Sequence, residues 1–266
     1  MERSQMKQSQ AEVHKRHQRL MELFNTHGSL QVSETSTLLN MSELTIRRDF
    51  DALENKGYIV RFHGGAKLAS PNIEATPVFE NKGTMNQIQK QKIAQVVSQY
   101  IQPKDTVFLN AGTTTLEVIK CIRDMDITII TSNALACTVI GDGAATLIST
   151  GGEYNNHNKS YTGALATNLI NKVFASICIL GVNGITHSDG ITTSAYLETM
   201  INEELLKRCK GKKIVAADGS KVGRTFCFTS AAITDIDILV TDSSADSEEL
   251  KKMREKGVQI VMADMI

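Results

Sequence analysis

Five apolar runs in this chain each end in loop-forming polar residues. Thr106-Val107-Phe108-Leu109-Asn110-Ala111 leads into Gly112-Thr113-Thr114-Thr115, Ile127–Ile130 into Thr131-Ser132-Asn133, and Leu147–Ser149 into Thr150-Gly151-Gly152. Ile177–Leu180 leads into Gly181-Val182-Asn183-Gly184, with Asp189-Gly190-Ile191-Thr192-Thr193 beyond, and Ile214–Ala217 into Asp218-Gly219-Ser220-Lys221. The first run carries the most specific chemistry. A strand, a glycine turn and a hydroxyl-rich helix start present backbone amides and threonine hydroxyls to an anion, with the helix dipole adding to the attraction. Thr113, Thr114 and Thr115 equally suit plain helix capping. Lys221 is the one cation within these loops and suits a phosphate or carboxylate. Asn110, Asn183 and Asp218 suit sugar hydroxyls or turn capping. In open α/β sheets ligands gather outside the carboxyl ends of strands, so the five loops together suit a small, hydroxyl-rich, anionic ligand.

A second set of chemistry lies near the amino terminus. The run ELTIRRDFDALENK, capped by Ser42 and closed by Gly57, predicts a helix with Ile46, Phe50 and Leu53 facing a core. Its outer face then holds Leu44, Thr45 and Arg48, with Arg47 at the edge. Arginine grips guanine edges or phosphates and small apolar groups meet thymine methyls, which suits a DNA major groove. Val13–His27 predicts a preceding helix through Leu20, Leu23 and Phe24, ended by Gly28. Ser33 is expected to cap a short helix that buries Leu38 and Leu39. Tyr58–Phe62, His63-Gly64-Gly65 and Ala66–Leu68 predict a β-hairpin. A helix-turn-helix with such a wing offers Arg61, His63 and Lys67 to the phosphate backbone.

The elements around these residues divide the chain. We expect a polar extension at 1–12, a small α+β winged helix-turn-helix domain at 13–68, a linker at 69–84, and an α/β domain with a mostly parallel sheet at 85–266. The linker holds two of the three prolines, Pro71 and Pro77. The larger domain alternates helices with short apolar strands, beginning with a helix over 87–101 that turns Ile93, Val97, Tyr100 and Ile101 inward. The stretch EYNNHNKSYTG reads as a loop near the pocket, with His157 and Tyr161 given no role and read as surface residues. At 41% apolar and 22% charged, the 266 residues can bury a core. No apolar run nears bilayer length and the polar start is no secretory signal. Five scattered cysteines without a CxxC pair argue against disulfides and thiolate zinc and fit a reducing cytoplasm. Lys and Arg number 29, as do Asp and Glu, so bulk charge names no partner.

RHQRLMELF and VSETSTLLNMSELTIRRDFDALENKGYIVRFHGGA, across about 14–68, resemble the DNA-binding domain of the DeoR/GlpR family of bacterial transcriptional repressors. KQKIA, DTVFLNAGTTT, STGG, LGVNGI, DGITT, AADGSKVG and DILVTD resemble the family's effector domain, in its order, across about 85–242. The resemblance implies a fold related to ribose-5-phosphate isomerase and a phosphorylated-sugar effector. It places Thr45, Arg47 and Arg48 on a recognition helix and a phosphate on Gly112, Thr113, Thr114 and Lys221. It also implies a homodimer or homotetramer on palindromic or repeated operator DNA. The chain departs from the family pattern at Asn110, where Asp is usual, at Ser132 and Asn133, and at Thr186.

The alternative is a sugar-phosphate isomerase. That reaction needs a placed general base and an enediolate stabiliser. Only Asp189 and Asp218 stand in suitable loops, with no paired acidic motif. The histidines form no catalytic or metal set by spacing, and neither a cofactor nor a membrane partner is expected. A regulator is therefore the favoured reading.

Overall fold

The computed structural model describes residues 13, 16–17, 19–21, 23–24, 27–55, 59–68 and 85–264. The expected extension at 1–12, the linker at 69–84 and the Gly57 helix stop lie outside the described residues. The chain separates into two units, Met1–Ala75 and Thr76–Ile266.

In the first unit the described residues from Val13 to His27 are helical. Gly28, at φ +73°, closes this stretch by donating its amide to Phe24 O at 2.7 Å. Then come β1 (Ser29–Gln31), α1 (Val32–Leu39), α2 (Glu43–Asn55), β2 (Ile59–Phe62) and β3 (Gly65–Leu68). The strands form one antiparallel sheet in the order β1-β3-β2. Leu20, Phe24, Ile46, Phe50, Leu53 and Ile59 are buried, and the Phe24 and Phe50 rings meet at 5.3 Å.

Two expectations about α1 are corrected. The helix begins at Val32, with Gln31 as an N-cap that makes no side-chain bond, so Ser33 caps nothing. Val32 and Thr35 face the core, whereas Leu38 is 64% exposed. The cause is β1: pairing of Ser29–Gln31 with β3 fixes where the chain turns into α1 and thus which face packs. Three strand residues after a glycine carry too little pattern to be seen in sequence.

The second unit runs α3 (Gln87–Ser98), β4 (Thr106–Leu109), α4 (Thr113–Ile122), β5 (Thr128–Thr131), α5 (Ala136–Ile140), β6 (Thr146–Ser149), β7 (Glu153–Asn155), β8 (Ser160–Thr162) and α6 (Ala164–Ile170). It continues with β9 (Ala175–Leu180), β10 (Gly184–Thr186), β11 (Gly190–Thr193), α7 (Tyr196–Arg208), β12 (Cys209–Ala216), β13 (Phe228–Ala231), β14 (Ile238–Thr241), α8 (Ser247–Glu255) and β15 (Gln259–Met262). Seven strands form an all-parallel sheet in the order β15-β14-β12-β9-β4-β5-β6. Val107, Leu109, Ile177 and Ile179 join α3 and α4 residues in one core. Phe108, Cys178 and Leu180 join α7 residues in another on the other face. Cover on both faces explains why these strands read as unbroken apolar runs rather than alternating ones. Among the described residues no helix is long and apolar enough to cross a membrane.

The order of strands decides where a ligand can sit. The chain lays β4, β5 and β6 outward in one direction, then returns to set β9, β12, β14 and β15 on the other side of β4. The sheet therefore reverses between β4 and β9, and a crevice opens at their carboxyl ends. A small antiparallel sheet, β10-β11-β13, and the hairpin β7-β8 sit outside the main sheet. The hairpin replaces the loop expected over 153–163. Gly190 turns β10 into β11 at φ +72°, and a Cβ there would lie 2.0 Å from Ala231 O. We expect Gly190→Ala to cost about 3 kcal/mol through strain and overpacking, measured by urea unfolding followed by circular dichroism.

Candidate functional sites

On α2 the core residues Ile46, Phe50 and Leu53 are fully buried, and the opposite face carries Leu44, 60% exposed, with Arg47 and Arg48 also exposed. Ser42 caps the helix as expected: its Oγ accepts the Thr45 amide at 3.2 Å and pairs with Thr45 Oγ1 at 2.8 Å. Arg47 bonds Glu43 at 3.2 Å, an exposed pair one turn apart. Arg48 has no partner among the described residues and is the freest side chain on this face. His63 and Lys67 are exposed on the hairpin.

Arg61 differs from expectation. Its guanidinium is paired with Asp51, donates to Arg47 O at 3.3 Å and lies 5.6 Å from the Phe50 ring centre. Its amide donates to Glu54 at 2.8 Å. These bonds fasten the hairpin to α2, so Arg61 is engaged within the fold instead of reaching out from the wing.

A buried ion cluster fixes the tilt of α2. Asp49 accepts from Arg16 at 2.9 Å and contacts His17 at 3.0 Å, all with little exposure. Burial alone raises the Asp49 pKa, but the bonds and charges of Arg16 and His17 outweigh it and hold the carboxyl below its ordinary 3.8.

In the second unit the β4–β9 crevice is organised by one side chain. Asn110, buried just past β4, donates to Gly181 O at 2.8 Å and accepts from Gly181 N at 2.9 Å. Its other amide hydrogen goes to Asn202 Oδ1 at 3.0 Å, and Asn202 donates to Ser230 at 3.1 Å. Next comes α4, whose first turn begins after Gly112 without any side-chain cap. Amides left uncapped at a helix start attract anions. Thr115 Oγ1 donates back to Asn110 O at 2.9 Å and Gly112 O at 3.1 Å. Asn133 donates to Gly112 O at 3.0 Å and accepts the Leu135 amide at 3.1 Å. A small cleft results, lined by Asn110, Ala111, Ser132, Ser160, Tyr161, Thr162, Glu198, Ile201 and Asn202.

Residues 16–72 match the DeoR-like helix-turn-helix domain, and residues 85–243 match the DeoR C terminal sensor domain. The chain belongs to the DeoR family. It is 29% identical over 93% of its length to the helix-turn-helix regulator YulB of Bacillus subtilis, covering 96% of that protein. It is 28% identical to the putative aga operon transcriptional repressor of Escherichia coli O157:H7, covering 93% of each chain. A ribose 5-phosphate isomerase A from Methanocaldococcus jannaschii aligns over 52% of this chain and 55% of its own, at 12% identity and a TM-score of 0.39. The full-length relatives are regulators, so this DeoR-family chain is a transcription regulator and the isomerase alternative is set aside. Burial pushes the Cys227 thiol up to about 12 and raises those of Cys178 and Cys209 as well. None of these thiols offers a ready thiolate.

Of the residues singled out in sequence, Asn110 and Ser132 line the cleft, and Gly112, Thr113 and Thr114 open the adjoining helix. Asn133 and Thr115 brace the backbone there, with their hydrogen bonds already engaged. The other singled-out loop residues do not line this cleft. Gly152, at φ +110°, passes close to Thr162 O, and Gly151 precedes it at φ +61°. Gly184 and Gly190 are needed for close passage of the Arg224 and Ala231 backbones. Asn183 donates to Ser194 at 3.2 Å, and Asp189 accepts from Thr225 at 2.7 Å. Asp218 caps its own one-turn 3-10 helix and accepts from Asn86 at 2.9 Å, while Lys221 ends that turn, its side chain without a partner among the described residues. Sequence reasoning missed Ser160, Thr162, Glu198, Ile201 and Asn202, and put Tyr161 on the surface. The i, i+3, i+4 spacing of Glu198, Ile201 and Asn202 was the available signal.

The ion cluster generates a prediction. A lowered carboxyl pKa stabilises the fold above the unfolded value and loses that contribution as pH falls through the folded one. Amides of α2 should therefore lose exchange protection on acidification below about 4. Asp49→Ala, which removes the buried carboxylate that Arg16 and His17 share, should cost about 3 kcal/mol at neutral pH, read by hydrogen exchange of α2, and should weaken operator binding.

Proposed function

We propose that this DeoR-family regulator represses a sugar-metabolism operon and that a phosphorylated sugar in the β4–β9 cleft modulates its grip on operator DNA. One observation carries the reading. The crevice where strand order reverses is flanked by the uncapped amides of α4 and walled by the buried hydroxyls of Ser132 and Ser160. Amides suit the phosphate and hydroxyls suit the sugar. The repressor named for the aga operon, matched along nearly its whole length, supports the same reading.

In this scheme Gly112, Thr113 and Thr114 take the phosphate, and Lys221 is a second candidate. Ser42, Leu44, Thr45, Arg47 and Arg48 face the major groove, with His63 and Lys67 toward the backbone. Two or four copies in the cytoplasm place their α2 helices on repeated half-sites. Effector shifts the balance between two arrangements of the subunits, and it does so only by its differential affinity for them.

Arg48→Ala should weaken operator binding by about 1–3 kcal/mol if Arg48 reads a base, with stability unchanged; fluorescence anisotropy with labelled operator measures this. Thr113→Val should remove the response to effector while operator affinity stays at the parent level. A variant that responds at the parent's effector concentration removes Thr113 from the phosphate site.

A further inference from the structure

Ser160 sits on β8, is 1% exposed and lines the cleft, yet its Oγ has no hydrogen-bond partner among the described residues. Buried hydroxyls are normally satisfied, so an orphan at a cleft wall is explained by a partner that arrives with a ligand. The wall itself is firmly placed. Tyr161 N donates to Ser132 O at 2.8 Å and Ala134 N to Lys159 O at 2.9 Å, which stitches the hairpin to the loop after β5. Glu198 lines the same cleft from the first turn of α7, where the helix dipole favours its negative charge, and one of its oxygens accepts from Thr193 Oγ1 at 3.1 Å. Asn110 and Asn202 also line it; both amide hydrogens of Asn110 go to Gly181 and Asn202, and one of Asn202 goes to Ser230.

We propose that Ser160 and Glu198 form a specificity subsite that reads hydroxyls of a sugar carrying a single anionic group and rejects ligands with a second one. The proposal rests on the reading of this cleft as the effector site and assigns its sugar end. A hydroxyl donates to the Glu198 carboxylate and exchanges a bond with Ser160 Oγ. A carboxylate or second phosphate in that position meets the like charge of Glu198.

The test is isothermal titration calorimetry on the full chain with ribose 5-phosphate, fructose 6-phosphate and glucose 6-phosphate. Each is compared with its unphosphorylated sugar and a doubly anionic relative such as fructose 1,6-bisphosphate or 6-phosphogluconate; inorganic phosphate serves as the reference probe. The best monophosphate should bind on the order of tenfold tighter than its doubly anionic relative. Glu198→Gln should narrow that gap. Ser160→Ala should weaken the monophosphate on the order of tenfold, leave inorganic phosphate unchanged, and keep or raise the thermal midpoint of the free chain, since an orphaned hydroxyl is removed. The subsite is overturned if the doubly anionic relatives bind equally well, if both variants keep parental affinities, or if Ser160→Ala unfolds the free chain. Equal binding of phosphorylated and unphosphorylated sugars overturns the phosphate reading instead, and the two variants still judge the subsite. If no sugar binds better than inorganic phosphate, the subsite falls while the anion site stands.

Discussion

The second unit depends on one amide. Where the sheet reverses, no ladder bond closes the gap beyond the ends of β4 and β9, and two loops must part without exposing their backbones. Asn110 spans the gap by pairing with both the N–H and the C=O of Gly181. This pairing fixes its orientation, because a flipped amide would set donor against donor. A carboxylate in its place could accept from Gly181 N but not donate to Gly181 O. The same side chain continues through Asn202 to Ser230, so the crevice, α7 and the small outer sheet share one buried polar chain. Such a network is stiff when fully satisfied. It fixes the backbone at the start of α4, where Thr115 Oγ1 donates to Asn110 O, against the end of β9 and α7.

The first unit uses charge for a similar purpose. Asp49 on the inner side of α2 ties the preceding helical stretch to that helix, and Arg61 ties the hairpin to its flank. Both groups engage their charges internally, whereas Arg48 stays exposed on the outer face of α2.

Much of this was legible in sequence because its signals are periodic. The 3.6-residue spacing of Ile46, Phe50 and Leu53 fixed the face of α2, and apolar runs ending in Asn110, Thr131 and Leu180 fixed the sheet edge. Signals that depend on tertiary partners were not legible. Arg61 looked like a wing contact because nothing in its neighbours shows that Asp51 and the Phe50 ring lie beneath it. Gly184 and Gly190 allow close backbone passage and Asp218 caps a turn, roles that their neighbours in sequence do not distinguish from ligand contact. Ser160 and Glu198 come from a hairpin and a helix that meet the cleft from elements far apart in sequence. No local pattern announces such a meeting.

The central claim is that the crevice beyond β4 and β9 binds the effector that controls operator affinity. Hydrogen–deuterium exchange on the full chain, with and without a sugar phosphate that alters operator binding, tests it most directly. The account predicts new protection concentrated at the amides of residues 111–115 and 160–162. Protection confined to other loops, with these amides unchanged while operator affinity still shifts, would contradict it.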